Sequence, residues 1–166
     1  MSCSLEIETP LAKDYDPSLG GDRGKRTGAE PGLSVEAMLP KLIAALDDPD
    51  VRSRLRAIEA LGHTRDPRAL YPLLGVLHSE DRQMRTAAAE ALGHLGDPLA
   101  VADLLEVMDM DEWPLTRAAA ALALGRIGHA DAAFPLQRTF RDRDNVVSEA
   151  AYEALQMVRH RMMRGR

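Results

Sequence analysis

The chain has 166 residues, 45% of them hydrophobic but only 4% aromatic, and a net charge of −5 from 26 acidic and 21 basic residues. That length suits one domain with a tail, and a core of Ala, Leu, Val, Ile and Met suits closely packed helices while offering few flat surfaces for a nucleobase or ring cofactor. The acidic balance disfavours nucleic acid, whose phosphates need a concentrated positive field. The single Cys3 excludes an intramolecular disulfide and fits a reducing compartment. With no long apolar run and no signal-peptide core in residues 1–30, the expectation is a cytoplasmic chain without a membrane span.

Residues 1–32 mix Pro, Gly, Asp and Lys without periodicity, which predicts a disordered or draped tail. Leu5 and Ile7 alternate with polar residues there, so a short extended segment could dock. From residue 33 the pattern turns helical. Ser34 caps a predicted helix over Val35–Leu46, with Ala37, Met38, Leu42, Ile43 and Leu46 on its apolar side. Asp47-Asp48-Pro49-Asp50 breaks it, and a second helix runs from Val51 to about Leu61. Further first helices are predicted at Arg68–His78, Leu99–Met108 and Asp131–Phe140, and second helices at Asp81–Leu95, Pro114–Ile127 and Asn145 to about Met163. Residues 164–166 form a basic end, continuing a run of Arg159, His160, Arg161, Arg164 and Arg166 that suits the negative end of a helix dipole.

Every second helix closes on the same marker: Ala60-Leu61-Gly62, Ala91-Leu92-Gly93, Ala123-Leu124-Gly125 and a worn Ala154-Leu155-Gln156, at spacings of 31, 32 and 31 residues. A fixed period in this range identifies a solenoid, because no single helix pair can bury its apolar stripe alone. Ala57, Ala88, Ala120 and Ala151, five residues before each marker, keep neighbouring helices close. Arg54, Arg85 and Arg117 stand eight residues before their markers, and Asp48, Asp111 and Asp142 fourteen before theirs, with Ser79 and Ser148 as the two departures.

The run from Met84 to Pro98, MRTAAAEALGHLGDP, resembles the short HEAT-like repeat named after phycobilisome lyases. The resemblance covers residues 34 to about 160 and implies an all-α solenoid of about three and a half to four HEAT-like helix pairs, with the Asp and Arg positions forming a ladder of charge-assisted hydrogen bonds between neighbouring turns. It also implies a concave face lined by the second helices. Two functions follow as expectations: a scaffold or adaptor that binds another protein there, or a phycobilin-lyase-like accessory factor or chaperone for a chromophore-bearing or cofactor-bearing protein. An open solenoid end would also allow a homo-oligomer.

No catalytic residue, metal ligand or cofactor of the chain's own is expected. Cys3 has no nearby His, no serine sits in a Gly-x-Ser-x-Gly context, and no phosphate-binding glycine loop occurs. Deoxyhypusine hydroxylases, a HEAT-like enzyme family, bind iron through His-Glu dipeptides, whereas the five histidines here precede Thr64, Ser79, Leu95, Ala130 and Arg161. His63 and His94 each follow a marker glycine, but equivalent positions on adjacent helices are expected about 8–10 Å apart, too far to share a metal with ligands at about 2 Å.

The predicted concave columns lie ten, seven and three residues before each marker. They read Arg52, Leu55, Glu59; Gln83, Thr86, Glu90; Leu115, Ala118, Leu122; and Val146, Glu149, Glu153. The third is apolar where the others are polar or acidic, and Trp113 stands just before it. Trp113, Leu115, Ala118 and Leu122, with Glu90 and Arg126 beside them, form the predicted partner-binding patch.

Overall fold

The computed structural model describes residues 35–164, and the sequence period is the period of the architecture. Four helix pairs follow one another: α1 (Val35–Ala44) with α2 (Val51–Thr64), α3 (Leu70–Leu77) with α4 (Arg82–Leu95), α5 (Val101–Met110) with α6 (Pro114–Ile127), and α7 (Ala133–Thr139) with α8 (Asn145–Arg164). The predictions for residues 1–32 and for Ser34 lie outside the described residues.

Local chemistry sets the boundaries. Asp50, Asp81 and Asp144 precede three of the second helices, and their carboxylates accept the backbone N–H groups of Ser53, Gln83 and Val146. Such caps satisfy donors that the first helical turn leaves without an intrahelical partner. Asp66 and Asp97 do the same for one 3₁₀ turn each, Pro67–Ala69 and Pro98–Ala100, so α3 and α5 start two residues later than the sequence reading placed them. Among the described side chains of α1, Leu39 is buried, with Leu42 and Ile43, and Leu46 of the following turn, packed against the core, while Ala37 and Met38 face outward. The 39, 42/43, 46 spacing follows one helical face; 37 and 38 fall off it.

The second helices stack directly, α2 on α4, α4 on α6 and α6 on α8, whereas consecutive first helices approach each other far less closely. Closer packing on one side curves the array and puts the second helices on its inner, concave face. The marker glycines allow this approach. A Cβ on Gly62, Gly93 or Gly125 would lie 2.7, 2.8 or 2.6 Å from the Cα of Ala91, Ala123 or Ala154 in the next repeat. Each second helix but the last then ends three residues after its marker in a left-handed residue, Arg65 (φ 55°), Gly96 (φ 76°) or Gly128 (φ 70°).

The Arg and Asp columns form a ladder between repeats. Arg85 donates through Nε and Nη2 to the Asp111 carboxylate (2.6 and 3.2 Å), and Arg117 in the same way to Asp142 (3.1 and 2.8 Å). Each arginine also turns Nη1 onto two carbonyls of its own repeat, Ser79 and Glu80 for Arg85, Asp111 and Glu112 for Arg117. One guanidinium therefore ties its own turn to the next. The basic C-terminal run also makes a specific contact: Arg161 donates to the Ile127 carbonyl (2.6 Å) at the end of α6.

Candidate partner-binding face

Helix α6 lies between α4 and α8, as α4 lies between α2 and α6, and it differs in that residues 116–121 are buried without interruption. Its side chains are accordingly small, Ala118-Ala119-Ala120-Ala121, and its Arg117 is the ladder residue. The prediction that Ala118 faces outward is corrected: it is only 5% exposed. A methyl group cannot reach the surface of a helix flanked on both sides. Leu122 is half-buried against the core, so it contributes one edge to the surface.

The apolar patch is carried instead by the N-terminal end of α6, where Leu115 is 51% and Trp113 37% exposed. Trp113 occupies the cap position of α6, the register at which Asp50, Asp81 and Asp144 stand in the other repeats, and it supplies no side-chain cap. The helix starts nevertheless, because Pro114 has no N–H to satisfy and presets the helical φ. The indole is held by Arg82 of the preceding repeat, whose guanidinium lies 4.0 Å from the ring centroid. A hydrogen bond between the Thr86 and Thr116 hydroxyls (2.9 Å) joins α4 to α6 beside it.

Arg126 lies away from this patch, and Glu90 lines a groove with His63 and His94. Leu115 and Arg126 are eleven residues apart on one helix, about 16 Å along its axis. Arg126 belongs with His63 and His94 in the column immediately after each marker. The His63 and His94 ring centroids are 4.5 Å apart, which corrects the wider spacing expected from helix axes: Gly62 against Ala91 brings these two helices together, and the side chains lean toward each other. Leu55, Glu59, His63, Ala87, Glu90 and His94 line a shallow groove of about 320 Å³. Burial holds the His94 pKa below its usual value, with Arg126 and His63 lowering it further and Glu90 and Glu59 opposing. Among the described residues no group of three or more His, Cys, Asp or Glu side chains is arranged to hold a metal ion.

Arg82, His63, His94 and Glu59 were not among the predicted site residues. The signal for Arg82 was present in its position beside the cap register, but its stacking on Trp113 depends on the lateral offset of two helices.

Stacked helix pairs, a concave face of second helices and an inter-repeat ladder define an α-solenoid scaffold. The HEAT repeats family matches residues 39–124, and the chain belongs to that family. Among solved structures, human deoxyhypusine hydroxylase is similar at 30% identity and a TM-score of 0.66, over 74% of this chain and 43% of that one. The chain thus spans less than half the length of that enzyme. The CpcE–CpcF complex of phycocyanin lyase from a Nostoc species shares the fold at 23% identity and a TM-score of 0.64, over 94% of this chain and 73% of that one. No curated protein matches the chain at a significant level. No described helix is long and apolar enough to cross a membrane.

Proposed function

We propose that the chain is a non-catalytic, cytoplasmic scaffold that binds a protein partner on the concave face, with Trp113 and Leu115 as anchors and Leu122 at the edge. In this reading the repeat domain spans residues 33–163, with 1–32 as a separate tail and 164–166 as a basic end. The observation that carries it is Trp113 at a cap position. Three repeats place an aspartate there, and replacing a good cap costs about 1 kcal/mol. A residue that departs from a stabilising pattern and stays exposed, held by a cation over one face, fits a binding anchor. Glu90 and Arg126, with His63 and His94, supply the polar part of the same face.

The fold likeness to a two-chain lyase complex supports a second reading, an accessory factor for a chromophore-bearing or cofactor-bearing protein. Affinity purification identifies the partner, and titration with free bilin separates the two readings: a red-region absorbance change favours the second. The anchor is tested with Trp113→Asp, which restores the cap seen in the other repeats and therefore folds. Partner affinity should fall by roughly 30-fold, the equivalent of about 2 kcal/mol for a hot-spot aromatic. Unchanged affinity overturns the assignment of Trp113.

A further inference from the structure

The ladder lacks one rung. At the second and third junctions the carboxylates of Asp111 and Asp142 complete Arg85 and Arg117, but at the first junction the matching residue is Ser79. Ser79 preserves the turn, because its hydroxyl accepts the N–H of Asp81 (3.2 Å) just as Asp111 and Asp142 accept those of Trp113 and Asp144 (2.8 and 2.9 Å). It does not serve the arginine. Arg54 donates through Nη1 to the carbonyls of Asp48 and Pro49 (2.8 and 3.3 Å), while its Nε and Nη2 have no acceptor among the described residues. In the other two arginines those same nitrogens hold the carboxylate.

Beside this half-satisfied guanidinium lies a groove of about 530 Å³ between the first and second repeats. Its walls are apolar, formed by Ile43, Leu46, Ile58, Val76 and Met84. A second departure opens it further. Gly75 lines the groove two residues beyond buried Leu73, at the register where Glu106 follows Leu104 and Arg138 follows Leu136, and nothing lies within 4 Å of where its Cβ would sit. Two changes from the repeat pattern, one removing a carboxylate and one removing a side chain, fall on the same groove.

We propose that this groove binds a small aliphatic carboxylate. The head group takes on Arg54 the place that Asp111 and Asp142 take on Arg85 and Arg117, and the chain lies along Ile43, Ile58, Val76 and Met84. Planar, two-point pairing of carboxylate with guanidinium sets the orientation, and the apolar walls supply affinity. Asp47, the other charged residue lining the groove, is exposed and repels an anion, so recognition depends on Arg54. The site is independent of the Trp113 surface.

The test titrates octanoate into the full chain by calorimetry and carbon–proton spectra, with octanol and acetate as controls. Octanoate should shift the methyl signals of Ile43, Ile58 and Met84 and bind about tenfold or more tighter than octanol, the factor expected for a charge-assisted pair. Ser79→Asp, built on the pattern of its two neighbours, should supply the missing rung from within the chain, keep or raise the melting temperature, and abolish octanoate binding. Arg54→Gln should also abolish it, and Asp47→Asn should strengthen it. Equal binding of octanoate and octanol, undiminished binding to the Ser79→Asp variant, or no methyl shifts at millimolar octanoate would each overturn the proposal.

Discussion

Gly93 lies against Ala123 so closely that a Cβ on the glycine would sit 2.8 Å from the alanine Cα and 2.9 Å from its Cβ. The contact is between two backbones on buried helices, so neither can yield by changing a rotamer. Gly93→Ala should therefore destabilise the fold by about 1–3 kcal/mol, the usual range for overpacking, although alanine is the better helix former. Denaturant unfolding measures it; a neutral or stabilising result would show that α4 and α6 can slide apart.

Arg117 is 7% exposed and satisfies the Asp142 carboxylate and two carbonyls at once. Truncation to Ala strands those acceptors, and removing one partner of a buried pair costs about 3 kcal/mol or more. Arg54→Ala, which strands no carboxylate, should cost clearly less. Parallel chevron or equilibrium curves of the two variants check the ordering.

Arg65 holds the left-handed conformation that Gly96 and Gly128 hold at the other helix ends. A non-glycine residue there is strained by about 1–2 kcal/mol, partly offset by the extra freedom glycine brings to the unfolded chain. Arg65→Gly should raise stability by about 0.5 kcal/mol. Thermal unfolding decides the sign.

The His94 imidazole is held below its ordinary pKa by burial first, then by Arg126 and His63, against Glu90 and Glu59. A lowered folded-state value means the unfolded chain takes up the proton more readily. The contribution is fully present above the unfolded pKa near 6.5 and is lost as the pH falls through the lower folded value. Stability should therefore decline on acidification from neutrality, and His94→Gln should flatten part of that decline. Urea midpoints across the range measure it; an unchanged slope in the variant would remove His94 as the source.

Much of the fold is legible in the chain because the repeat is written in local chemistry. Asp81, Gly96 and Pro98 act on backbone groups within a turn of themselves, so helix ends can be read from spacing alone. The period of the Gly62, Gly93 and Gly125 markers, and of the Arg and Asp columns, shows that the units stack and where their charges recur.

The candidate surface was less legible, because exposure depends on which helices stand on either side. Ala118 shares a register with Thr86 and Glu149, yet its methyl is too short to reach past α4 and α8 and it is buried. His63 and His94 lie 31 residues apart in the chain, and their rings meet because Gly62 lets α4 approach α2. Trp113 could be read from the sequence as the residue that breaks the pattern. Only the packed helices show that it stands in place of a capping aspartate with Arg82 across its face, since a lateral offset between neighbouring helices leaves no periodic trace in the sequence.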